Sequence, residues 1–272
     1  MPNNNLHQLH QGLKQHAQGQ PASCACYLLL DPQLRPLESD NPLAQALSTA
    51  KAPTPQTTPL PLPFVPEHAR PWLSALDLEQ PRGSEALSIS LQEAEAELDG
   101  GQLQRGMGRR IGGWLVSHAP AATLAAHLAR VMVQTAPDGQ RMLVRVQDPA
   151  VLWPLFSLLT SEQRASLLGP IRAWWVLNPA GHLVLLENPN PASPAPNIPA
   201  APLKLSTEQW AHVMRFSALN AAINQWLEGI RADHQTPPTA QQLERACAQA
   251  LLALQTPQEQ EALVRSLSHV TS

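Results

Sequence analysis

Charge is scarce in this sequence. Asp, Glu, Lys and Arg make up 14% of its 272 residues, against about 25% in an average soluble protein. The charges also nearly cancel, with 18 basic and 21 acidic residues and a formal net charge of −3. That balance argues against a strongly basic face and so against a dedicated nucleic-acid binder. Cysteine is scarcer still. Cys24, Cys26 and Cys247 cannot make a disulfide framework, and they are expected as reduced, buried thiols that pack as small apolar groups. A metal site built on Cys24 and Cys26 would need two more ligands at ordered spacing, and none is adjacent, so no metal is expected. Nothing in the sequence asks for a cofactor. No apolar run approaches the ~20 residues of a membrane span. Residues 1–20 are polar, with no apolar run before a small-residue cleavage site, so no secretory signal is expected. A soluble, cytoplasmic protein is the expectation.

What is abundant is proline, with 28 residues where the usual ~5% would give about half as many. Hydrophobic residues, at 43%, are enough for a sizeable core, and there are seven tryptophans. Residues 5–18 read as a polar helix with Leu6, Leu9 and Leu13 on one face. The run at 24–30 reads as a buried strand closed by Asp31-Pro32. Residues 32–71 carry proline every few positions, so an extended, surface-hugging connection is expected there. Alternation at 86–91 suggests a half-buried strand, 93–98 an acidic helical turn, and 112–117 a second strand. A helix follows at 121–133, then a third strand at 142–146. Asp148 as N-cap with Pro149 as first helical residue opens a helix to 160. A shorter helix at 161–168 stops at Gly169-Pro170, and a hairpin spans 172–177 and 182–186 around Asn178-Pro-Ala-Gly181. A second proline-rich stretch precedes helices at 206–231, 239–255 and 257–269, the first opened by the capping box Ser206-Thr-Glu-Gln209.

The fold expected is α/β, a mixed sheet with flanking helices, plus a smaller C-terminal all-helical lobe. Its division is a polar extension over 1–23, the α/β domain over 24–187, a proline-rich linker over 188–202 and the helical lobe over 203–272.

Catalytic signatures are missing. The glycine-rich stretch 106–113 lacks the Lys-Ser/Thr ending of a phosphate loop and reads as a flexible turn. There is no nucleophile elbow and no zinc-protease helix. Glu93, Glu95 and Glu97 read as a solvated acidic face. Trp174-Trp175 on a strand puts one indole on each side of the sheet. No enzyme is expected, with a hydrolase or transferase of dispersed catalytic residues as the alternative and a structural subunit of an assembly as a blander one.

A more specific signal lies in the centre of the chain. Val144-Arg-Val-Gln-Asp-Pro-Ala-Val-Leu152 resembles the signature of the domain-of-unknown-function family 4123, whose members are adaptor chaperones of bacterial type VI secretion. Other landmarks follow in the family's order. They are Cys26 to Asp31, His68 to Leu73, Gly113-Trp114 to Ser117 with the helix behind it, and Leu168-Gly169-Pro170 followed by Trp174. Val144, Val146 and Gln147 stand where the family carries aromatics, and Ala150 where it often carries arginine. The resemblance implies a non-enzymatic adaptor that binds a toxin effector and helps load it onto the secretion spike, the valine-glycine repeat protein, or its tip protein. It marks Trp114, Arg145, Asp148, Pro149, Gly169 and Pro170 as structural or partner-binding. An acidic side chain, Asp31 among the candidates, or a helix C-terminus would pair with Arg145. The apolar stripe from Leu205 to Ile230 adds Trp210 and Trp226 as candidate anchors facing a groove between the two lobes.

Overall fold

A computed structural model describes residues 2–18, 24–33, 35–48, 57–104, 108–188 and 203–253. The first half contains α1 (Pro2–Gln18), β1 (Ala25–Leu30), α2 (Pro42–Leu47), β2 (Thr57–Pro59), β3 (Trp72–Leu76), α3 (Pro81–Ala96), α4 (Gly100–Gln104) and β4 (Ile111–Ser117). Then come α5 (Ala121–Met132), β5 (Val133–Thr135), β6 (Arg141–Leu143), α6 (Pro149–Leu158), α7 (Ser161–Leu168), β7 (Ile171–Leu177) and β8 (Leu183–Glu187). The C-terminal helices are α8 (Thr207–Val213), α9 (Phe216–Ala232) and α10 (Ala240–Ala253). The expected helix at 257–269 and nearly all of the expected linker lie outside the described residues.

Six strands form one sheet in the order β2-β3-β1-β4-β7-β8. The expected architecture, a sheet with flanking helices and further helices at the C-terminal end, is present. Its pairings are all antiparallel rather than mixed. Both faces are covered, which is why the central strands read as continuous apolar runs instead of alternating ones. Side chains still alternate between two cores. Tyr27, Leu29, Leu115, Trp174 and Val176 enter the core shared with α5 to α10. Cys26, Leu28, Leu30, Trp114, Val116 and Trp175 enter the one beneath α1, α2 and α3. The two neighbouring indoles thus go to opposite faces, as period two requires. On the first face the apolar cluster is unbroken from Leu29 and Trp174 to Leu219, Trp226 and Ala250.

Three expectations about elements are corrected. Residues 86–91 are the middle of helix α3, not a strand. Ala86, Leu87, Ser90, Leu91 and Ala94 are its buried positions, a 3–4 spacing that short-range alternation imitates, and Pro81 supplies the helix start. The strand expected at 142–146 ends at Leu143 and pairs with β5 in a separate two-stranded ribbon. Beyond it the backbone turns, with Val146 N–H donating to the Val144 carbonyl at 2.8 Å. The helix expected over 206–231 breaks at Met214-Arg215 into α8 and α9. The proline-rich 32–71 region also holds more order than expected, including α2, capped by the Asn41 side chain, and β2 on the sheet edge. Pro59 fits there because an edge strand leaves one side of its ladder unpaired.

Cys26 and Cys247 are buried free thiols that burial pushes up to about 12, so they pack as apolar groups. Among the described residues no helix is long and apolar enough to cross a membrane.

The centre of the sheet depends on a glycine. Gly113 in β4 has φ +119°, and a Cβ there would lie 2.4 Å from the Trp175 carbonyl oxygen and 2.8 Å from Trp174 Nε1. Neither backbone of β7 nor the buried indole can retreat. Gly113→Ala is therefore expected to cost on the order of 2–4 kcal/mol in chemical denaturation. Gly139→Ala, at φ +85° with open space around it, isolates the conformational part and should cost about 1 kcal/mol.

Candidate functional site

Two of the landmark segments, 26–31 and 144–152, meet at the end of β1. Asp31, 1% exposed, is sealed under the turn that follows β6. A buried carboxylate is costly unless it is paired and hydrogen-bonded. Arg145 Nη2 donates to Asp31 Oδ2 at 2.7 Å, Gln147 Nε2 to the same oxygen at 2.8 Å, and Gln33 N–H to Oδ1 at 3.0 Å. The acidic partner considered for Arg145 from sequence is thus found, although Arg145 sits in a turn and not on a strand. Asp148 caps α6, its Oδ1 accepting from the Ala150 N–H at 2.9 Å, and Pro149 is buried at the first helical position. The turn packs on β4 so closely that a Cβ at Gly112 would lie 2.6 Å from the Gln147 carbonyl oxygen.

Trp114 is fully buried and donates from Nε1 to Ser90 Oγ at 2.9 Å. Gly169 ends α7 at φ +52°, and the Pro170 carbonyl accepts from Ser117 Oγ at 2.8 Å. The His127 ring lies against Gly169. Its Nε2 is 2.9 Å from the Leu167 carbonyl, which requires a proton on that nitrogen. Trp114, Pro149, Gly169 and Pro170 therefore hold elements together.

The acidic run is not a solvated face. Glu97, 2% exposed, accepts from the N–H groups of Arg110 and Ile111 at 2.9 and 3.0 Å. Arg110 Nη2 donates to Glu93 Oε2 at 2.6 Å, and Glu95 accepts from Asn5 Nδ2 at 3.0 Å. Burial raises the Glu97 pKa, while those backbone donors with Arg110 and Arg35 pull it down. The carboxylates of Glu93, Glu95 and the C-cap Glu97 are legible in the sequence; the partners that hold them, Arg110, Arg35 and Asn5, are not.

Beside this buried network lies an open groove of about 1100 Å³. One wall is β6 and the start of α6, from Met142 to Val151; the other is α8 and α9. Asn220 Nδ2 on α9 donates to the Ala150 carbonyl at 2.9 Å, which joins the walls at one end. Gln209 Nε2 on α8 also donates to the Leu158 carbonyl at the end of α6, at 2.8 Å. The Ser206–Gln209 capping box is present as expected, set against a second one at Thr160–Gln163. Trp210 lines the groove but is 4% exposed; Trp226, also 4% exposed, packs in the core and is not part of the lining. Met214, 64% exposed at the α8–α9 break, is the accessible apolar side chain there.

Two groove residues escaped the sequence reading. Met214 falls in a helix break that the 3–4 apolar pattern runs straight across. Arg109 falls in the glycine-rich stretch 106–113, whose sequence reads as a flexible turn. It is 5% exposed and lines the groove. Burial lowers its pKa, and the carboxylates of Asp148 and Glu97 raise it. The one available signal was an Arg-Arg pair ahead of an apolar strand in a chain otherwise poor in charge. Among the described residues no three His, Cys, Asp or Glu side chains gather as a metal-binding set.

Two measurements check this site. Arg145→Met leaves Asp31 charged and under-paired, with an expected loss of about 3 kcal/mol. Adding Asp31→Asn should restore part of that stability, giving a coupling energy of roughly 1–3 kcal/mol in a double-mutant cycle; strict additivity would show that the pair does not interact. The second concerns pH. Burial lowers the His127 pKa from its ordinary value near 6.5, so the unfolded chain takes up a proton that the folded one resists. Stability is then fully present above about pH 6.5 and falls as the pH drops below it. His127→Gln should flatten that fall between about pH 7 and pH 5 in thermal unfolding.

No curated protein and no solved structure matches the chain. The profile of a family described as a domain of unknown function, DUF4123, matches residues 26–166, a segment that runs from β1 into α7 and contains Asp31, Arg145 and Asp148. The chain belongs to the DUF4123 family.

Proposed function

We propose that this protein is a non-enzymatic, cytoplasmic adaptor chaperone. It binds a toxin effector in the groove between α9 and the 142–151 segment and helps load it onto the type VI secretion spike or its tip protein. The groove carries this reading. It is open, about 1100 Å³ in volume, and lined by Met142, Val144, Val151, Val213, Met214 and Phe216 with amides among them. That mixture suits a peptide segment, whose apolar side chains need burial while its polar groups need partners. The resemblance of residues 144–152 to the family signature supports the adaptor role, because that segment forms a wall of the groove.

Met214 has the character of an anchor site. It is flexible and polarizable, and its exposure means that it contributes little to the core, so a partner can cover it without repacking the fold. The test is co-expression with the proteins encoded by the neighbouring genes, followed by affinity purification and identification of the bound chain by mass. Capture at defined stoichiometry is the expected result. Met214→Glu should weaken capture about ten-fold or more while leaving the unfolding midpoint in place. No capture of any of these proteins, or capture indifferent to Met214→Glu, would overturn the assignment to this groove.

A further inference from the structure

Resting on that reading, we infer that the groove recognises an amphipathic helix of the partner by a carboxylate on its apolar face, received by Arg109 and Arg145. Arg109 is 95% buried yet poorly satisfied. Its one hydrogen bond runs from Nη1 to the Leu177 carbonyl at 3.4 Å, and its Nε has no acceptor. A guanidinium carries five donors, and a buried donor left without an acceptor is destabilising. Arg145 is half committed. Nη2 is held by Asp31, Nε lacks an acceptor, and 27% of the side chain remains exposed. Both arginines line the groove.

Asp148 and Glu97 attract the Arg109 guanidinium across space, but neither is hydrogen-bonded to it, and Asp148 Oδ1 is engaged by the Ala150 N–H at the start of α6. Glu228 lies twelve residues along α9 from Phe216 and touches Gly100 at the start of α4. An incoming carboxylate would give the guanidinium groups charge-assisted bonds, the strong class, within apolar surroundings that exclude water. An uncharged apolar segment would bury them further and leave them unpaired, which makes the site select against it.

The opposite wall indicates the shape of the occupant. On α9 the groove is lined by Ser217, Asn220, Ala221, Asn224 and Gln225, the exposed stripe of that helix at 3–4 spacing. Up to Glu228 at the far end of the stripe these side chains are small or uncharged, so a second helix can approach closely along Ser217 to Gln225 without meeting a like charge. From Phe216 to Glu228 the stripe runs about 18 Å, or roughly three helical turns.

The test uses the full chain and two labelled, end-capped peptides of about fifteen residues, built from Ala and Leu in an amphipathic pattern with Lys on the polar face. One carries a single Glu in the middle of its apolar face and the other a Gln. Fluorescence anisotropy should show the Glu peptide binding about ten-fold tighter or more. Arg109→Gln and Arg145→Gln should each erase the preference. Because either arginine also touches buried groups, Asn224→Asp serves as a variant that leaves both in place. It adds a competing carboxylate to the groove wall and should reduce the preference to about three-fold or less. Equal binding of the two peptides, binding of neither, or a preference untouched by Asn224→Asp would overturn the inference. Effector capture without any carboxylate preference sinks this inference alone. A clear preference without effector capture sinks the adaptor reading instead.

Discussion

A carboxylate closed off from water at the end of a central strand governs the layout of this molecule. Asp31 lies at the point where β1 stops, next to β4, with its backbone N–H held by the Arg110 carbonyl at 2.8 Å. It must be paired or neutralised, and nothing on the strand beside it can do so. Arg145 and Gln147 come from 114 and 116 positions further along the chain. Meeting that demand brings the turn after β6 against the sheet, which sets where α6 starts. Because α9 is tied to the first turn of α6 through Asn220, the position of the outer groove wall follows from the same pairing. Glu97 does the equivalent at the other end of the loop, anchoring the entry to β4 through two backbone N–H groups. A chain with few charges has placed several of them inside, where they specify geometry more than they add stability.

Much of this was legible in the sequence, for identifiable reasons. Asp148-Pro149, Gly169-Pro170 and Ser206 to Gln209 act locally, through caps and fixed dihedrals, and all three end or begin helices as expected. The covered central strands were recognisable because both faces are apolar. Failures occurred where a short pattern serves two periods, or where a tertiary partner decides. Leu87 to Leu91 alternates as a strand does, and Ala86 to Leu91 also supplies one face of a helix. The acidic α3 residues look solvated until Arg110, Arg35 and Asn5 are seen beside them.

The groove itself was only half visible. Its apolar residues on α8 and α9 stand out in the sequence, but periodicity does not say which side of a stripe faces the core. Trp226 faces the core, Trp210 lines the groove with little of its surface free, and the break at Met214 turns an unremarkable methionine outward. Arg109 is harder still. Its burial depends on the path of a glycine-rich approach to β4, and only Gly112 and Gly113 let that strand sit so close to Gln147 and Trp175.

The exposed stripe of α9 has one more consequence. Ser217, Ala221 and Gln225 point away from the core, while Leu219, Ile223, Trp226 and Leu227 on the other side of the same helix pack into it. Substitutions on the outer stripe therefore change the groove wall at little cost to folding. Arg145 on the facing wall lacks that freedom, since changing it unpairs the buried Asp31 behind it. Evolution can thus retune one wall on an unchanged chassis. Proteins of this architecture can diverge in the surface of this groove well before they diverge in how they fold.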